Sequence, residues 1–234
     1  EGIGVAVKTL KDLGYTPREM REGSVTAEEL KPFGYSATEM RQGTFVAPEL
    51  RSAGYTLAEM REASYSATDL KEADFSATQL RKVGYTAVQC RKAEYRLLDM
   101  RKAGYTATEM KDAGFTAMKV RAAGYDANEA TAAFELDMLK EAGYVTRELR
   151  EAGHAVADMG EVGFTLEELY SGGYPVESLR DAGYTIAQLK EVGTSLAKMK
   201  ESGASVAQLR AAGYPAARLR TERFSALQLM DGGF

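Results

Sequence analysis

Apolar residues recur along this chain at a fixed interval of ten, and the polar residues between them follow the same rhythm. One slot holds a leucine or methionine, as in Leu30, Met40, Leu50, Met60, Leu70, Leu80, Met100 and Met110, with Cys90 and Val120 as variants. Five positions later an aromatic recurs: Tyr15, Tyr35, Phe45, Tyr55, Tyr65, Phe75, Tyr85, Tyr95, Tyr105, Phe115 and Tyr125, with Val25 the exception. Self-similarity at a short fixed period is the signature of a repeat architecture, in which each unit completes its core by stacking on neighbours.

The unit Arg101–Met110, R-K-A-G-Y-T-A-T-E-M, carries its own start and stop signals. Thr106 followed three residues later by Glu109 forms a capping box. Gly104 and Gly114 stand where a helix ends, because glycine enters the left-handed C′ conformation without a Cβ clash. About two helical turns fit between these signals, and Ala107, Met110 and Ala113 share one face at i, i+3 and i+6. Tyr105 is the residue after one helix and before the next. The capping rules therefore predict that it touches Met100 behind it and Met110 ahead. So short a helix is marginal alone. The pattern predicts an all-α fold, an α-solenoid of about two dozen two-turn helices wound into an elongated superhelix. Its handedness and helices per turn do not follow from the pattern; antiparallel pairs and a spiral of three or four helices per turn both satisfy it.

The prolines mostly respect this frame. Pro17 falls at the first helical position, Pro48 in a first turn, and Pro175 and Pro215 in the N-cap slot, whereas Pro32 falls late and predicts an early helix end. In the first sixty residues Gly14, Gly34 and Gly54 alternate with Ser24, Thr44 and Ser64, and leucine alternates with methionine. Helix pairs facing different surroundings, or duplication of a twenty-residue segment, would each leave that trace. The frame breaks once. Residues 1–125 repeat in register, 126–143 are irregular, and 144–234 repeat with a shift of one residue. Asp126 with Glu129 is a good capping box, no glycine interrupts the segment, and Glu135 is a poor N-cap. The segment thus predicts one helix of about sixteen residues near 127–142, in preference to two short helices joined at Phe134. Beyond it the aromatic slot loses its ring at Thr194 and Ala204 in succession, which predicts the loosest joint there.

Units such as Ala53–Glu62 and Ala182–Glu191 follow A-G-[YF]-[ST]-A-x-[EQ]-[LM]-[RK]-x except at the fifth position, where Leu57 and Ile186 replace the alanine. In this the chain resembles the tandem decapeptide repeats of long microbial and algal proteins, over nearly its whole length. The resemblance implies a helical-repeat scaffold and carries no catalytic residue with it. Departures at Val25, His154, Thr194 and Ala204 weaken individual joints.

Composition adds little chemistry. The 234 residues carry a formal net charge of −4, too mild to argue for nucleic acid or an anionic membrane. Cys90 is the only cysteine, which excludes an internal disulfide framework and weakly favours an intracellular, reducing setting. No apolar run of about eighteen residues is present, so no membrane insertion is expected. The sequence opens on Glu1 and closes without a polar capping repeat. This fits a removed leader and a chain that continues or packs against something.

Candidate catalytic and ligand-binding residues are scarce. His154, the only histidine, occupies an aromatic slot as a flat, partly polar substitute, and Cys90 occupies a core slot. One histidine and one cysteine in separate halves make no metal set, so neither a metal nor a cofactor is expected. Paired carboxylates Glu28-Glu29 and Glu167-Glu168 fall in helix first turns, where they complement the dipole.

Charge offers the one candidate surface. Residues 71–125 carry a local excess of +5 against −9 for the remainder. The doubled steps Arg81-Lys82, Arg91-Lys92 and Arg101-Lys102 recur at the repeat period and predict a basic ladder along one edge, a candidate site for an acidic partner. The alternative is ordinary helix-end charge. The leading functional expectation is a non-enzymatic structural or scaffolding protein that mediates protein–protein interaction or self-assembly. The alternatives are a peptide- or nucleic-acid-binding solenoid using the 81–102 edge, or an accessory repeat region of a larger protein. Nucleic acid is the weaker partner, because the aromatics are committed to joints.

Overall fold

The computed structural model describes residues 2–234. Glu1, on which the expectation of a removed leader turns, lies outside the described residues. Among the described residues the protein contains helices and turns and no strand. The chain divides into two units, residues 1–116 and 117–234.

The first unit holds α1 (Gly2–Asp12), α2 (Pro17–Glu22), α3 (Ala27–Leu30), α4 (Ala37–Gln42), α5 (Ala47–Ser52), α6 (Leu57–Glu62), α7 (Ala67–Glu72), α8 (Ala77–Lys82), α9 (Ala87–Lys92), α10 (Leu97–Lys102) and α11 (Ala107–Asp112). The second holds α12 (Ala117–Ala122), α13 (Ala127–Thr131), α14 (Leu136–Glu141), α15 (Thr146–Glu151), α16 (Val156–Glu161), α17 (Leu166–Ser171), α18 (Val176–Asp181), α19 (Ile186–Glu191), α20 (Leu196–Glu201), α21 (Val206–Ala211), α22 (Ala216–Thr221) and α23 (Ala226–Asp231).

Local chemistry explains why nearly all of these helices stop at six residues. At α11 the Glu109 amide donates to Thr106 Oγ1 (3.2 Å) while the Thr106 amide donates to a Glu109 carboxylate oxygen (2.7 Å), closing the predicted capping box. At the end of α10, Gly104 takes φ +88°, its amide bonds Arg101 O (2.8 Å), and the Tyr105 amide bonds Met100 O (3.2 Å). Those two bonds are a complete Schellman stop. The same device closes joints where the left-handed residue is not glycine: Ser24, Thr44, Ser64, Asp74, Glu94 and Arg223 hold φ between +54° and +67°. Pro32 ends α3 at Leu30 as expected, and a 3-10 turn over Lys31–Phe33 completes that unit.

Packing runs mainly between helices two places apart. In the first unit α2 packs on α4, α3 on α5, α4 on α6, α5 on α7, α7 on α9, α8 on α10 and α9 on α11. In the second, α12 packs on α14, α13 on α15, α15 on α17, α19 on α21 and α21 on α23. Each unit is therefore a solenoid with two columns of helices and a twenty-residue turn. This suits the odd–even alternation of the first sixty residues, whose alternate repeats fall in different columns. The core lies between the columns, where Leu50, Met60, Leu70, Leu80, Cys90, Met100, Met110, Leu139 and Leu149 have no exposed surface.

The expected long helix over 127–142 is corrected by the structure. α13 ends at Thr131 and α14 begins at Leu136, with Phe134 buried in the aromatic slot. The lost residue is the left-handed one. Here the Phe134 and Ala133 amides both bond Ala130 O (2.9 Å each), whereas ordinary joints span five residues, and no residue from 132 to 135 has positive φ. The good N-cap and helix-forming composition of this segment extend only two turns, because burying Phe134 between columns outweighs continuing an isolated helix.

Candidate functional site

The side chains with the most chemistry in each repeat converge on one recurring arrangement, a clamp between successive turns. Its first part is the ring. Tyr105 is 2% exposed, and its hydroxyl donates to the backbone oxygen of Tyr85, twenty residues earlier, at 2.6 Å. The same bond joins Tyr35 to Tyr15 (2.8 Å), Tyr55 to Tyr35 (2.6 Å), Tyr65 to Phe45 and Tyr85 to Tyr65. In the second unit Tyr144 donates to Tyr125 O (2.8 Å) across nineteen residues, the count having dropped by the deleted one, and Tyr174 donates to His154 O (2.6 Å). Burial pushes the Tyr55, Tyr65 and Tyr144 phenols up to about 12 and raises Tyr105 further. These hydroxyls are held as neutral donors.

The second part is the basic residue after the core slot. Arg41 donates to Ala63 O (3.1 Å) and Lys71 to Ala93 O (2.9 Å), each twenty-two residues on. These carbonyls belong to the C-terminus of the helix two places later, so each cation caps an orphan acceptor and meets the negative end of that helix. The same group stands over the ring of that turn: Lys31 Nζ is 3.4 Å from the Tyr55 ring centre, Arg61 4.4 Å from Tyr85, Arg81 4.4 Å from Tyr105 and Arg121 4.8 Å from Tyr144.

Several clamps add a carboxylate twenty-eight residues on, with Arg21 to Glu49 at 2.9 Å, Lys31 to Glu59 at 3.1 Å and Arg81 to Glu109 at 2.9 Å. That carboxylate also closes its own capping box. Glu59 is held below the usual carboxylate range by the Thr56 amide and hydroxyl, with Lys31 adding to them. At Glu109 burial acts to raise the carboxyl, but the Thr106 amide and the Arg81 guanidinium outweigh it and the net shift is downward.

The six residues of the predicted basic ladder divide accordingly. Arg81 and Arg91 bind the following turn, Arg91 through Ala113 O and the Phe115 ring at 5.1 Å, and Arg101 is half-buried. Lys82, Lys92 and Lys102 are exposed. Arg81 and Arg101 lie on α8 and α10, which pack together, while Arg91 lies on α9, which packs on α11. Sequence periodicity alone missed this assignment. The signal available was the recurring spacing of twenty-four residues from cation to ring, as from Arg81 to Tyr105, which drops to twenty-three where Arg121 and Tyr144 span the deletion.

Where one clamp partner changes, its counterpart often changes too. Thr131 holds a basic slot and His154 the matching aromatic slot, and their Oγ1 and Nε2 lie 3.0 Å apart. Tyr170 holds another basic slot and Thr194 its aromatic slot. There the ring has moved to Tyr170, and Lys198 Nζ sits 5.3 Å from its centre. Cys90 is fully buried, 3.2 Å from the Tyr105 hydroxyl, and burial raises its thiol. Among the described residues no three His, Cys, Asp or Glu side chains converge to hold a metal, and no helix is long and apolar enough to cross a membrane.

Short capped helices, two-column stacking and a clamp repeated at most turns define an all-α solenoid of tandem decapeptide units. The family profile described as "Decapeptide repeat region" matches residues 4–77, 74–145, 104–176 and 173–234, and the chain belongs to that family. It matches no curated protein sequence.

Proposed function

We propose that this protein is a non-enzymatic scaffold whose stacked repeats present their outer surface to other proteins or to further copies of itself. The observation that supports this reading is where the reactive side chains spend their contacts. Tyrosine hydroxyls, arginines and first-turn carboxylates are used to bind turn to turn, as at Arg81, Tyr105 and Glu109. The exposed surface mixes lysines such as Lys82, Lys92 and Lys102 with scattered apolar side chains such as Leu98 and Met118, which suits docking over an area better than chemistry at a point. Internal use of Arg81 and Arg91, with Tyr85 and Tyr105 buried, gives the nucleic-acid alternative less support.

The test uses affinity capture with this chain as bait, followed by rebinding of each purified candidate, beside sedimentation of the chain alone over a range of concentrations. Lys82, Lys92 and Lys102 reversed to glutamate is the informative variant, because it leaves the Arg81 and Arg91 clamps intact. A purified partner that rebinds and is lost on reversal, or a concentration-dependent assembly, is expected. A strictly monomeric chain with no rebinding partner contradicts the reading.

A further inference from the structure

One turn of the second unit lacks its ring while keeping the cation and the polar partners that hold it elsewhere. By the spacing of the other clamps, Arg180 should stand over an aromatic at position 204, and that ring should meet the backbone oxygen of Tyr184. Position 204 is alanine. The joint keeps its form, since the Ala204 amide bonds Met199 O at 3.0 Å, much as Tyr105 bonds Met100 O. Arg180 keeps its place too. Its guanidinium donates to Ser202 O and to Gln208 Oε1 (3.3 Å), the counterparts of the carbonyl and carboxylate contacts in filled clamps. The Tyr184 oxygen accepts no hydrogen bond among the described residues.

Tyr184 is itself half-buried, where Tyr55, Tyr85 and Tyr105 are buried, and the basic slot facing it holds Gly160, where a Cβ would lie 3.4 Å from its hydroxyl. Between Arg180, Tyr184, Ser202 and Gln208 lies a cleft of about 600 Å³. The equivalent grooves that still contain their rings, beside Tyr35 and beside Tyr85, measure about 420 and 490 Å³. Position 194 offers no such vacancy, because Tyr170 supplies a ring at that clamp.

We propose that this cleft receives a tyrosine side chain presented by a partner protein, seated as the chain's own rings are seated in other turns. The incoming ring lies against the Arg180 guanidinium and its hydroxyl donates to Tyr184 O. Ala204 is buried, so the ring enters along the Arg180 side, past Tyr184 and Gln208. Glu177 and Asp181 also line the opening, which selects a tyrosine flanked by lysine or arginine. The guanidinium is already held by Ser202 and Gln208, so binding requires little reordering. The inference rests on the scaffold reading for the source of the ring, since a scaffold binds proteins. The cleft itself stands on geometry alone.

The test is a titration of the isotope-labelled chain with N-acetyl-Lys-Tyr-amide and with its Lys-Phe counterpart, followed by amide NMR shifts. Saturable shifts are expected at Tyr184, Thr185, Gly203 and Ala204, with affinity roughly millimolar for so small a probe. The tyrosine peptide should bind about two- to fivefold more tightly than the phenylalanine one, through one further hydrogen bond. Ala204→Tyr fills the cleft from within and should abolish the shifts. Arg180→Gln, which keeps the fold even if Ala204→Tyr does not, should weaken binding about two- to fivefold.

Shifts that do not saturate, shifts centred elsewhere, or equal binding by folded Ala204→Tyr would overturn the proposal. A dimer of the chain itself, lost in Tyr15→Ala, would reassign the cleft to a second copy and overturn the partner assignment. Failure of partner capture with peptide binding intact removes the scaffold reading and leaves the cleft. The converse result removes this inference alone.

Discussion

Replacing Tyr105 separates the two contributions of the ring clamp. Tyr105→Phe removes only the hydroxyl, which donates to Tyr85 O at 2.6 Å and lies 3.2 Å from Cys90 Sγ. It leaves a buried carbonyl without that donor, at a cost of about 1–2 kcal/mol. Tyr105→Ala also deletes a ring that is 2% exposed and leaves a void between turns, for about 3–5 kcal/mol. Arg81 then loses the ring beneath it, 4.4 Å away, though it keeps Glu109 at 2.9 Å, so the added loss is about 0.5–1 kcal/mol. Urea denaturation followed by circular dichroism reads both variants, and native-state hydrogen exchange locates the loss. Exchange should quicken in α8, which carries Arg81, and at the Tyr85 joint, as well as in α10 and α11 beside Tyr105. The reverse substitution Phe75→Tyr, which adds a donor for Tyr55 O, should stabilise by about 1 kcal/mol. A Tyr105→Ala loss within about 0.5 kcal/mol, or faster exchange confined to α10 and α11, would refute the inter-turn clamp.

Further outcomes follow from the same geometry. Thr44 holds φ +67°, so Thr44→Gly should raise stability by about 1 kcal/mol in thermal melts despite glycine's entropy, and a loss would contradict the strain. Gly54 has φ +82° and open space around a built Cβ, so Gly54→Val should cost more than Gly54→Asn; equal melting would argue against a left-handed requirement. Arg81→Gln should lower stability by about 1 kcal/mol while Lys82→Gln leaves it unchanged, and equal effects would mean the guanidinium contacts contribute nothing. Tyr55, Tyr65 and Tyr144 titrate near 12 when folded and near 10 when unfolded, so the folded state holds more protons in that interval. Their contribution is complete below pH 10 and lost as pH rises toward 12, and tyrosinate absorbance should appear together with unfolding. Glu39 and Glu59 are held low, so their contribution is present above the ordinary carboxylate range and falls away in acid.

Local chemistry made the helices legible in advance. Thr106 with Glu109, Gly104 and Pro32 each specify a start or stop that involves no distant residue, and each behaves as its side chain dictates. The partners of Tyr105 were less legible, because capping rules relate it only to Met100 and Met110. Its hydrogen bond to Tyr85 depends on how many helices make a turn, a quantity set by joint geometry. For the same reason Arg81 and Arg91 read as helix-end charge when their targets are the Glu109 carboxylate, the Ala113 carbonyl and the rings of the next turn. Around Phe134, helix propensity ran against burial of one ring, and burial decided the outcome. The cleft at Ala204 was visible in sequence only as a missing aromatic. Arg180, Tyr184 and Gln208 acquire meaning together only once the twenty-residue turn is known.

The central claim, that each turn comprises two repeats locked by ring and cation across twenty residues, is tested most directly by nuclear Overhauser contacts from the Tyr105 ring. Two-column stacking predicts contacts from this ring to the Arg81 side chain and to the Cys90 methylene, residues twenty-four and fifteen positions earlier. Contacts confined to Met100, Met110 and their immediate neighbours would contradict it and return the ring to a purely local joint.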